Sequence, residues 1–337
     1  MKWLKRLALA LGLLILIYFL GPRPATPKYT NDLPTIDVPL TQLDSFVREQ
    51  ESHFKIKPDN EARIIWANDS LKQPTEYSVV YLHGFSACQE EGDPVHYSFA
   101  QKFGANLYLS RLDAHGLEGN EALLDMTAEG LYNSAKQAYA MGKKLGKKVI
   151  LMSTSTGGTL ALKLASEFPD IAALILISPN IEINDSKAWL LNNHWGLQIA
   201  RVFKGRYNVI PDTSAIYAQY WNNRYRMEAT VQLEELLETT MKHSVFKKVT
   251  QPLLLLYYYK DEEHQDPVVR VSAMKRMFDQ VSTPAEMKVK LAIPNGGGHV
   301  LGSYIKSKDL PAVESAIDNF ALDVLKMKEI SPNLPLK

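Results

Sequence analysis

This sequence has very little cysteine and almost no net charge. Its 337 residues include a single cysteine, Cys88, which excludes an intramolecular disulfide and a thiolate-rich zinc or iron–sulfur site. The 38 basic and 37 acidic residues leave a net charge of +1, so the bulk electrostatic field is too weak to hold a phosphate backbone. We therefore expect neither a nucleic acid partner nor a cysteine-based metal site.

Long apolar runs are also scarce, and the sequence has one such run near its N-terminus. Basic residues precede an unbroken apolar stretch over residues 7–20, and Gly21-Pro22 follows it, which is the arrangement of an export signal. As a helix the stretch is about 21 Å long, and it spans a hydrocarbon core of roughly 30 Å only if the basic side chains snorkel. A signal peptide is cleaved after small residues, and few small residues stand at the end of this stretch. We therefore expect residues 1–21 to be an uncleaved signal anchor.

The basic flank of this run predicts the side of the membrane on which the body lies. Because positive residues stay on the cytoplasmic side, the rest of the chain is expected on the periplasmic or extracellular face. A cleaved signal, which would give a secreted protein, is the alternative. Five prolines within residues 22–40 forbid a helix and predict an extended tether that holds the body away from the bilayer.

Beyond residue 40, strand-like and helix-like patterns alternate along the chain. This alternation predicts a mostly parallel sheet with helices on both faces. The seven strand candidates are residues 62–67, 77–82, 105–110, 148–152, 172–177, 252–258 and 287–293. Between residues 181 and 250 no strand-like run occurs, and the interval is too long for a βα loop. We therefore predict a first core part over 41–180, a helical lid over 181–250 and a second core part over 251–330.

A polar turn over residues 153–158 follows an apolar strand and precedes a helix. A strand, a sharp turn and a helix form the nucleophile elbow of serine hydrolases, and Ser155 lies at the apex of this turn. The elbow needs small residues two positions before and after the serine, and Ser153 and Gly157 meet that need. Ser153 replaces the glycine of the usual G-x-S-x-G pattern. The turn by itself leaves open a nucleophile and a simple Ser/Thr helix cap.

A His83-Gly84-Phe85 turn ends the first strongly apolar strand. In serine hydrolases of this strand arrangement, such a turn presents a backbone N–H to the carbonyl oxygen that becomes an anion. We expect the N–H groups of Phe85 and Thr156 to form this oxyanion hole. His83 itself is interpreted as a residue that holds the loop in shape rather than as the catalytic base.

A glycine-rich loop after the last strand candidate ends in His299, the position of a general base. The acid is expected in the loop after strand 252–258, which contains both Asp261 and Asp266. Asp266 precedes a Pro-Val-Val run that is usual at this turn, whereas Asp261 lies at the usual distance from the end of the strand. We favour Asp266 and keep Asp261 as the alternative, because one carboxylate orients the histidine.

These motifs make the sequence resemble the α/β-hydrolase superfamily, in particular the lidded serine hydrolases grouped with monoacylglycerol lipases and serine aminopeptidases. The resemblance covers residues 62–328 and includes the loop over 111–116. It implies the α/β-hydrolase fold, with a mostly parallel sheet of eight strands, helices on both faces and a helical lid between strands 6 and 7. It also implies acyl transfer from Ser155 to water, with no metal or organic cofactor.

The predicted function is that of a serine carboxylester hydrolase of the esterase or lipase type. His299, oriented by Asp266, takes the proton of Ser155 as the hydroxyl attacks an ester, and an acyl-enzyme forms. The substrate is expected to be a short to medium acyl ester or a monoacylglycerol-like lipid. Aromatic residues of the lid are candidates for an apolar acyl pocket, with packing of the lid onto the sheet as the alternative. These residues are Trp189, Trp195 and Trp221.

Two other functions remain open at this point. A serine aminopeptidase would need a lid carboxylate for the substrate ammonium, and Glu234, Glu235 and Glu238 are available, although their helical spacing favours a solvated face. A non-catalytic scaffold that keeps the fold is the third possibility, and the presence of all three triad residue types argues against it.

Overall fold

The structure is a computed structural model and describes residues 2–330. Two groups of strands are present in this part of the chain. Seven strands form the main sheet, in the spatial order β1-β3-β2-β4-β5-β8-β9, and β6 pairs with β7 in a separate hairpin. In chain order the strands are β1 (Arg63–Ile65), β2 (Thr75–Leu82), β3 (Asn106–Leu109), β4 (Gly146–Thr154), β5 (Ala173–Ile177), β6 (Tyr207–Val209), β7 (Arg224–Arg226), β8 (Leu253–Tyr257) and β9 (Lys288–Ala292).

The main sheet confirms the predicted fold class. β1 runs antiparallel to β3, and every other neighbouring pair is parallel. The sheet has seven strands in the described residues, so the eight implied by the resemblance is wrong by one. Only one strand, β1, precedes β2 in the described residues. The chain before β1 forms the helix Leu43–Ser52 and then an irregular segment, so it adds no further strand to the sheet.

Helices cover both faces of this sheet. In chain order they are α1 (Lys2–Phe19), α2 (Leu43–Ser52), α3 (Val95–Phe103), α4 (Ala128–Leu145), α5 (Thr156–Glu167), α6 (Gly196–Lys204), α7 (Ala215–Tyr220), α8 (Met227–Thr240), α9 (His243–Phe246), α10 (Val271–Gln280) and α11 (Leu310–Asn319). One core cluster packs α4, α5 and α10 on one face, and a second packs α3 and α11 on the other. The central strands are buried on both faces, which explains their continuous apolar sequence.

The predicted lid region lies between β5 and β8 and contains α6, α7, α8 and α9. It follows the fifth strand of the main sheet rather than the sixth. It is also not wholly helical, because β6 and β7 pair antiparallel within it, with Tyr207 opposite Arg226. Each of these strands has only three residues, which is too short for a recognisable alternating pattern in the sequence.

Residues 22–40 are extended, without a helix up to the short 3₁₀ turn that begins at Leu40, but they do not stand away from the body as predicted. The Tyr29 hydroxyl lies 2.8 Å from the Thr239 hydroxyl, and Lys136 donates to the Thr30 carbonyl at 3.0 Å. Ile36 is buried in the core cluster beside α2. The segment therefore runs along the folded body, since its apolar side chains between the prolines find packing partners there.

The N-terminal apolar run forms α1, and none of its residues is buried. Met1 of the predicted 1–21 segment lies outside the described residues. Within residues 2–330 there is no helix with the length and apolarity needed to cross a membrane. The prediction of a membrane-spanning anchor is therefore not supported.

Candidate active site

The carboxyl ends of the parallel strands bring the predicted motifs to one edge of the sheet. The turn with Phe85 follows β2, Ser155 follows β4, Asp266 lies in the loop after β8, and His299 follows β9. This edge is where ligands bind in open α/β sheets, because the loops of neighbouring strands converge there.

Ser155 occupies the sharp turn between β4 and α5. Its backbone has φ 53° and ψ −118°, a strained conformation for a residue with a side chain. Two backbone hydrogen bonds hold the turn: the Ser155 N–H donates to the Ile177 carbonyl at 3.1 Å, and the Gly158 N–H donates to the Ser155 carbonyl at 2.8 Å. The surrounding structure therefore enforces the conformation that a nucleophile elbow requires.

Close packing explains the small residues on both sides of the elbow. A Cβ atom at Gly157 would lie 1.9 Å from the Leu82 carbonyl oxygen, so glycine is required there. Ser153 is fully buried, and its hydroxyl donates to the Ile175 carbonyl at 3.4 Å. The serine that departs from the usual pattern therefore fits because its polar atom has a partner within the sheet.

The loops after β8 and β9 place Asp266 against His299. Nδ1 of His299 lies 2.7 Å from Oδ2 of Asp266, and Asp266 is 1% exposed. The other carboxylate oxygen, Oδ1, accepts from the N–H groups of Val268 at 2.9 Å and Val269 at 3.1 Å. The Pro-Val-Val run thus supplies the amides that hold the carboxylate, and its side chain points to the histidine.

Asp261 has a different partner. Its Oδ1 lies 2.7 Å from Nδ1 of His264, and both side chains are more than half exposed. Between the two carboxylates left open by the sequence, the geometry therefore pairs Asp266 with His299 and leaves Asp261 in a surface contact.

The charge of Asp266 determines the protonation behaviour of His299. Burial by itself would lower the pKa of the imidazole, but the carboxylate and its hydrogen bond raise that pKa above the ordinary value of 6.5. With Nδ1 facing Asp266, Nε2 is the nitrogen left to accept a proton. Ser155 and His299 line one cavity, and among residues 2–330 no hydrogen bond joins them. In free enzymes the hydrogen bond between a serine and its base is often long, and it commonly shortens when substrate binds.

The loop after β2 presents free backbone donors beside the serine. The N–H groups of Phe85 and Thr156 donate no hydrogen bond within residues 2–330. A Cβ atom at Gly84 would lie 3.0 Å from Cβ of Ser155, which shows how closely this loop approaches that residue. Two free N–H groups on either side of a serine are what an oxyanion hole requires.

Two buried histidines hold this loop in shape. His83 is fully buried; its Nε2 accepts from the Leu112 N–H at 3.0 Å, and its Nδ1 lies 2.9 Å from the Gly84 carbonyl. His115 Nε2 accepts from the Ser86 N–H at 3.0 Å. Burial lowers the pKa of His115 to about 4, so this ring stays neutral and keeps its acceptor at neutral pH.

Sequence reasoning missed a third carboxyl group, Glu91, beside this loop. It lies in a short 3₁₀ turn over Gln89–Gly92, is 2% exposed and accepts from the Gly84 N–H at 2.5 Å. Burial raises its pKa to about 7, although hydrogen bonding from the Gly84 N–H, the charge of His299 and hydrogen bonding from the Trp221 side chain oppose the shift. In the sequence it appears as one acid in a polar loop, and no periodicity marks it as buried.

A cavity of about 960 Å³ opens between the sheet edge and the lid. Ser155, His299 and Glu91 line it, together with apolar lid side chains such as Leu191 and Phe203. This cavity lies beside Ser155, and two of the three tryptophans predicted to form an acyl pocket do not line it.

Of the three predicted substrate-binding tryptophans, Trp221 alone lines this cavity. Trp189 is 54% exposed. Trp195 packs toward the N-terminal segment, where its indole N–H donates to the Ile17 carbonyl at 3.0 Å. Composition cannot separate these roles, because an aromatic residue serves equally for packing and for binding.

The glutamates considered for an aminopeptidase lie elsewhere. Glu234 and Glu238 line a separate pocket beside α10, and Glu235 accepts from the Asn192 amide at 3.0 Å. None of the three lines the cavity that contains Ser155. Their helical spacing turns them away from the cavity, so they are not placed to bind a substrate of Ser155.

Comparisons with known proteins agree with this architecture. No family model matches the chain. Over 105 residues it is 30% identical to the thermostable monoacylglycerol lipase of Bacillus sp. (strain H-257); the match spans 31% of this chain and 41% of that protein, less than half its length.

Solved structures resemble the chain over a larger share of its length. A structure from work on the metagenome-derived lipolytic enzymes LipS and LipT has a TM-score of 0.61 at 15% identity, covering 79% of this chain and 98% of that one. The monoacylglycerol lipase of Paleococcus ferrophilus has a TM-score of 0.55 at 16% identity, covering 76% and 95%. Est1E from Butyrivibrio proteoclasticus, with ferulic acid bound, has a TM-score of 0.53 at 17% identity, covering 79% and 95%. The chain has the α/β-hydrolase fold.

Proposed function

We propose that this protein is a serine hydrolase that cleaves carboxylic esters through an acyl-enzyme on Ser155. The observation that carries the proposal is the contact of buried Asp266 with His299, because His299 lines the same cavity as the strained Ser155. The likeness in fold to proteins described as lipases and esterases supports the choice of ester substrates.

The reaction begins with proton transfer from Ser155. His299 Nε2 accepts the hydroxyl proton as Oγ attacks the ester carbonyl, and Asp266 stabilises the imidazolium that forms. The N–H groups of Phe85 and Thr156 donate to the carbonyl oxygen as it becomes an anion. His299 then gives the proton to the departing alcohol, which leaves the acyl group on Ser155.

Hydrolysis of the acyl-enzyme repeats these steps with water. His299 takes a proton from water as the oxygen attacks the acyl carbonyl, and it returns the proton to Oγ of Ser155 as the acid leaves. Each residue of this chain ends the cycle in its starting state.

The lid side of the cavity is suited to an acyl chain. Its walls include Leu190, Leu191, Ile199 and Phe203, which offer an apolar surface beside the reacting serine. We include short to medium acyl esters and monoacylglycerol-like lipids in the proposal, and the 30% identity with a protein described as a monoacylglycerol lipase supports that class.

Labelling with a fluorophosphonate tests the nucleophile, because this reagent phosphonylates activated serines. The wild type should label, whereas Ser155→Ala and His299→Ala should not, with folding checked by circular dichroism. Ser153→Ala is the matched control, since it removes a hydroxyl from the same turn and should keep the label. A folded wild type that neither labels nor cleaves a panel of acyl esters would refute the proposal.

We also propose that residues 1–21 direct export of the protein, so that the body works outside the cytoplasm. The basic, apolar and Gly-Pro segments in succession support this, as does the exposure of every residue of α1. Fractionation of cells expressing the full chain and the chain from residue 22 tests it. If the full chain and the chain from residue 22 are both found in the cytoplasmic fraction to the same extent, the proposal of export is refuted.

A further inference from the structure

The cavity beside Ser155 contains a buried carboxyl group that the proposed mechanism does not use. Glu91 is 2% exposed, and one of its oxygens, Oε2, accepts the Gly84 N–H. Among residues 2–330, no lysine, arginine or histidine forms an ion pair with it. Burial without an ion pair favours the neutral form of a carboxyl group, and a cation that enters the cavity would favour its charged form.

The other charged residues of the cavity wall are either paired or exposed. Asp212 lies 2.5 Å from Lys306, and Asp185 lies 4.0 Å from Lys204. Lys187 is exposed to solvent. Besides His299, which already faces Asp266, no cation of the described wall is therefore available to Glu91.

Two aromatic side chains lie near this carboxyl group: the Trp221 side chain is a hydrogen-bond partner that lowers the pKa of Glu91, and the charge of Glu91 raises the pKa of Tyr217. Trp221 and Tyr217 are buried and stacked, with ring centroids 5.2 Å apart and planes 5° from parallel, and both line the cavity. Aromatic faces attract ammonium groups, and quaternary ammonium ligands are commonly held this way. The stack already has one cation near it, since Nζ of Lys306 lies 4.3 Å from the Tyr217 ring centroid.

Glu91 is also close to the reacting serine. A Cβ atom at Gly84 would lie 2.8 Å from Oε2 of Glu91 and 3.0 Å from Cβ of Ser155. Little more than one methyl group separates the carboxyl group from the nucleophile. A substrate whose cationic group binds Glu91 must therefore have that group within a few bonds of its reacting ester.

We propose that Glu91, with Trp221 and Tyr217, forms a subsite for a positively charged amino group, so that the preferred substrates are esters of amino alcohols. This deepens the ester hydrolysis proposed for Ser155 and rests on it. In esters of ethanolamine or choline the ammonium is two carbons from the ester oxygen, which is short enough for it to reach Glu91 while the ester lies at Ser155. The acyl chain then extends along the apolar lid side of the cavity.

Two esters of the same shape test the role of the charge. Butyrylcholine and 3,3-dimethylbutyl butyrate differ by a quaternary nitrogen in place of a carbon. The ratio of their kcat/KM values measures the preference for the cation independently of overall activity. We expect this ratio to be tenfold or more in favour of butyrylcholine in the wild type. 2-Aminoethyl butyrate, compared with butyl butyrate, tests a primary ammonium in the same way.

Glu91→Gln should reduce this ratio to about one. Glutamine keeps an oxygen that accepts the Gly84 N–H and removes only the charge. Glu90→Gln is the matched control, because Glu90 is the neighbouring acid, does not line the cavity and accepts from the Tyr304 hydroxyl at 3.1 Å. We expect it to keep the wild-type ratio. A ratio that Glu91→Gln leaves unchanged would overturn the inference.

A measurement on the wild type alone guards against a misfolded variant. Tetramethylammonium chloride should inhibit cleavage of the neutral ester competitively, whereas potassium chloride at the same ionic strength should not. Equal cleavage of both esters by an enzyme that labels at Ser155, with no such inhibition, refutes the cation subsite and leaves the ester hydrolase intact. Absence of both cleavage and labelling refutes the proposed function itself.

Discussion

Nδ1 of His299 lies 2.7 Å from Oδ2 of Asp266, in a contact between two loops that are 33 positions apart in the chain. The carboxylate is fully buried, and backbone N–H groups hold its second oxygen. The ring is thereby fixed with Nε2 as its free nitrogen. This one contact decides which of two candidate acids faces the histidine, and several testable consequences depend on it.

Asp266→Asn should lower kcat/KM for any cleaved ester by about 10³-fold or more, because an amide neither stabilises the imidazolium nor favours the required tautomer. Asp261→Asn is the control, since Asp261 contacts the exposed His264 instead, and its activity should stay within about twofold of wild type. Steady-state kinetics with one short-chain ester measures both. The reverse order of effects would assign the orienting role to Asp261.

The pH dependence of kcat/KM should follow the neutral form of His299. Since Asp266 raises the pKa of His299 above 6.5, the acid limb of the profile should have its midpoint above pH 6.5. Asp266→Asn removes the charge that raises this pKa, so its midpoint should move to lower pH. A profile with a midpoint well below 6.5 in the wild type would contradict the assignment of His299 as base.

Gly157→Ala should destabilise the fold as well as abolish activity. Its Cβ atom would meet the Leu82 carbonyl oxygen at 1.9 Å, and neither backbone can move without disturbing the sheet. We expect the free energy of unfolding to fall by about 3 kcal/mol or more. Gly298→Ala, whose Cβ atom has nothing within 4 Å, is the matched control for urea unfolding. Equal stability of the two variants would contradict this packing.

Glu91 should make the stability of the protein depend on pH. Its pKa is about 7 in the folded state and 4.5 in the unfolded state, so its contribution is fully present below pH 4.5 and is lost as pH rises through about 7. The loss amounts to about 3 kcal/mol. Urea unfolding at pH 5 and pH 8 should therefore show Glu91→Gln gaining stability over wild type at the higher pH.

Glu90→Gln controls for the general effect of removing one negative charge from the same turn. Glu90 is half-buried, and it should show a smaller change in the free energy of unfolding between the two pH values. A Glu91→Gln variant whose stability tracks that of the wild type at both pH values would show that the carboxyl group is not desolvated in the native state.

Much of the fold was predictable from the sequence because it depends on local pattern. The seven strand candidates correspond to the seven strands of the main sheet. Central strands such as β5 and β8 are buried on both faces and are therefore continuous apolar runs in the sequence. The turn at Ser155 was predictable for a similar reason, because its strain demands small neighbours such as Gly157. The hairpin of β6 and β7 was not, since three-residue strands carry no period.

The sequence by itself determined the fold class and the sharp turn at Ser155, because both are expressed in residues that are neighbours along the chain. The tertiary structure decided which aspartate meets His299, which tryptophan faces the cavity and where residues 22–40 lie. It also placed Glu91 beside Ser155. These are relationships between distant segments, and they depend on how loops converge at the sheet edge, which no local pattern records.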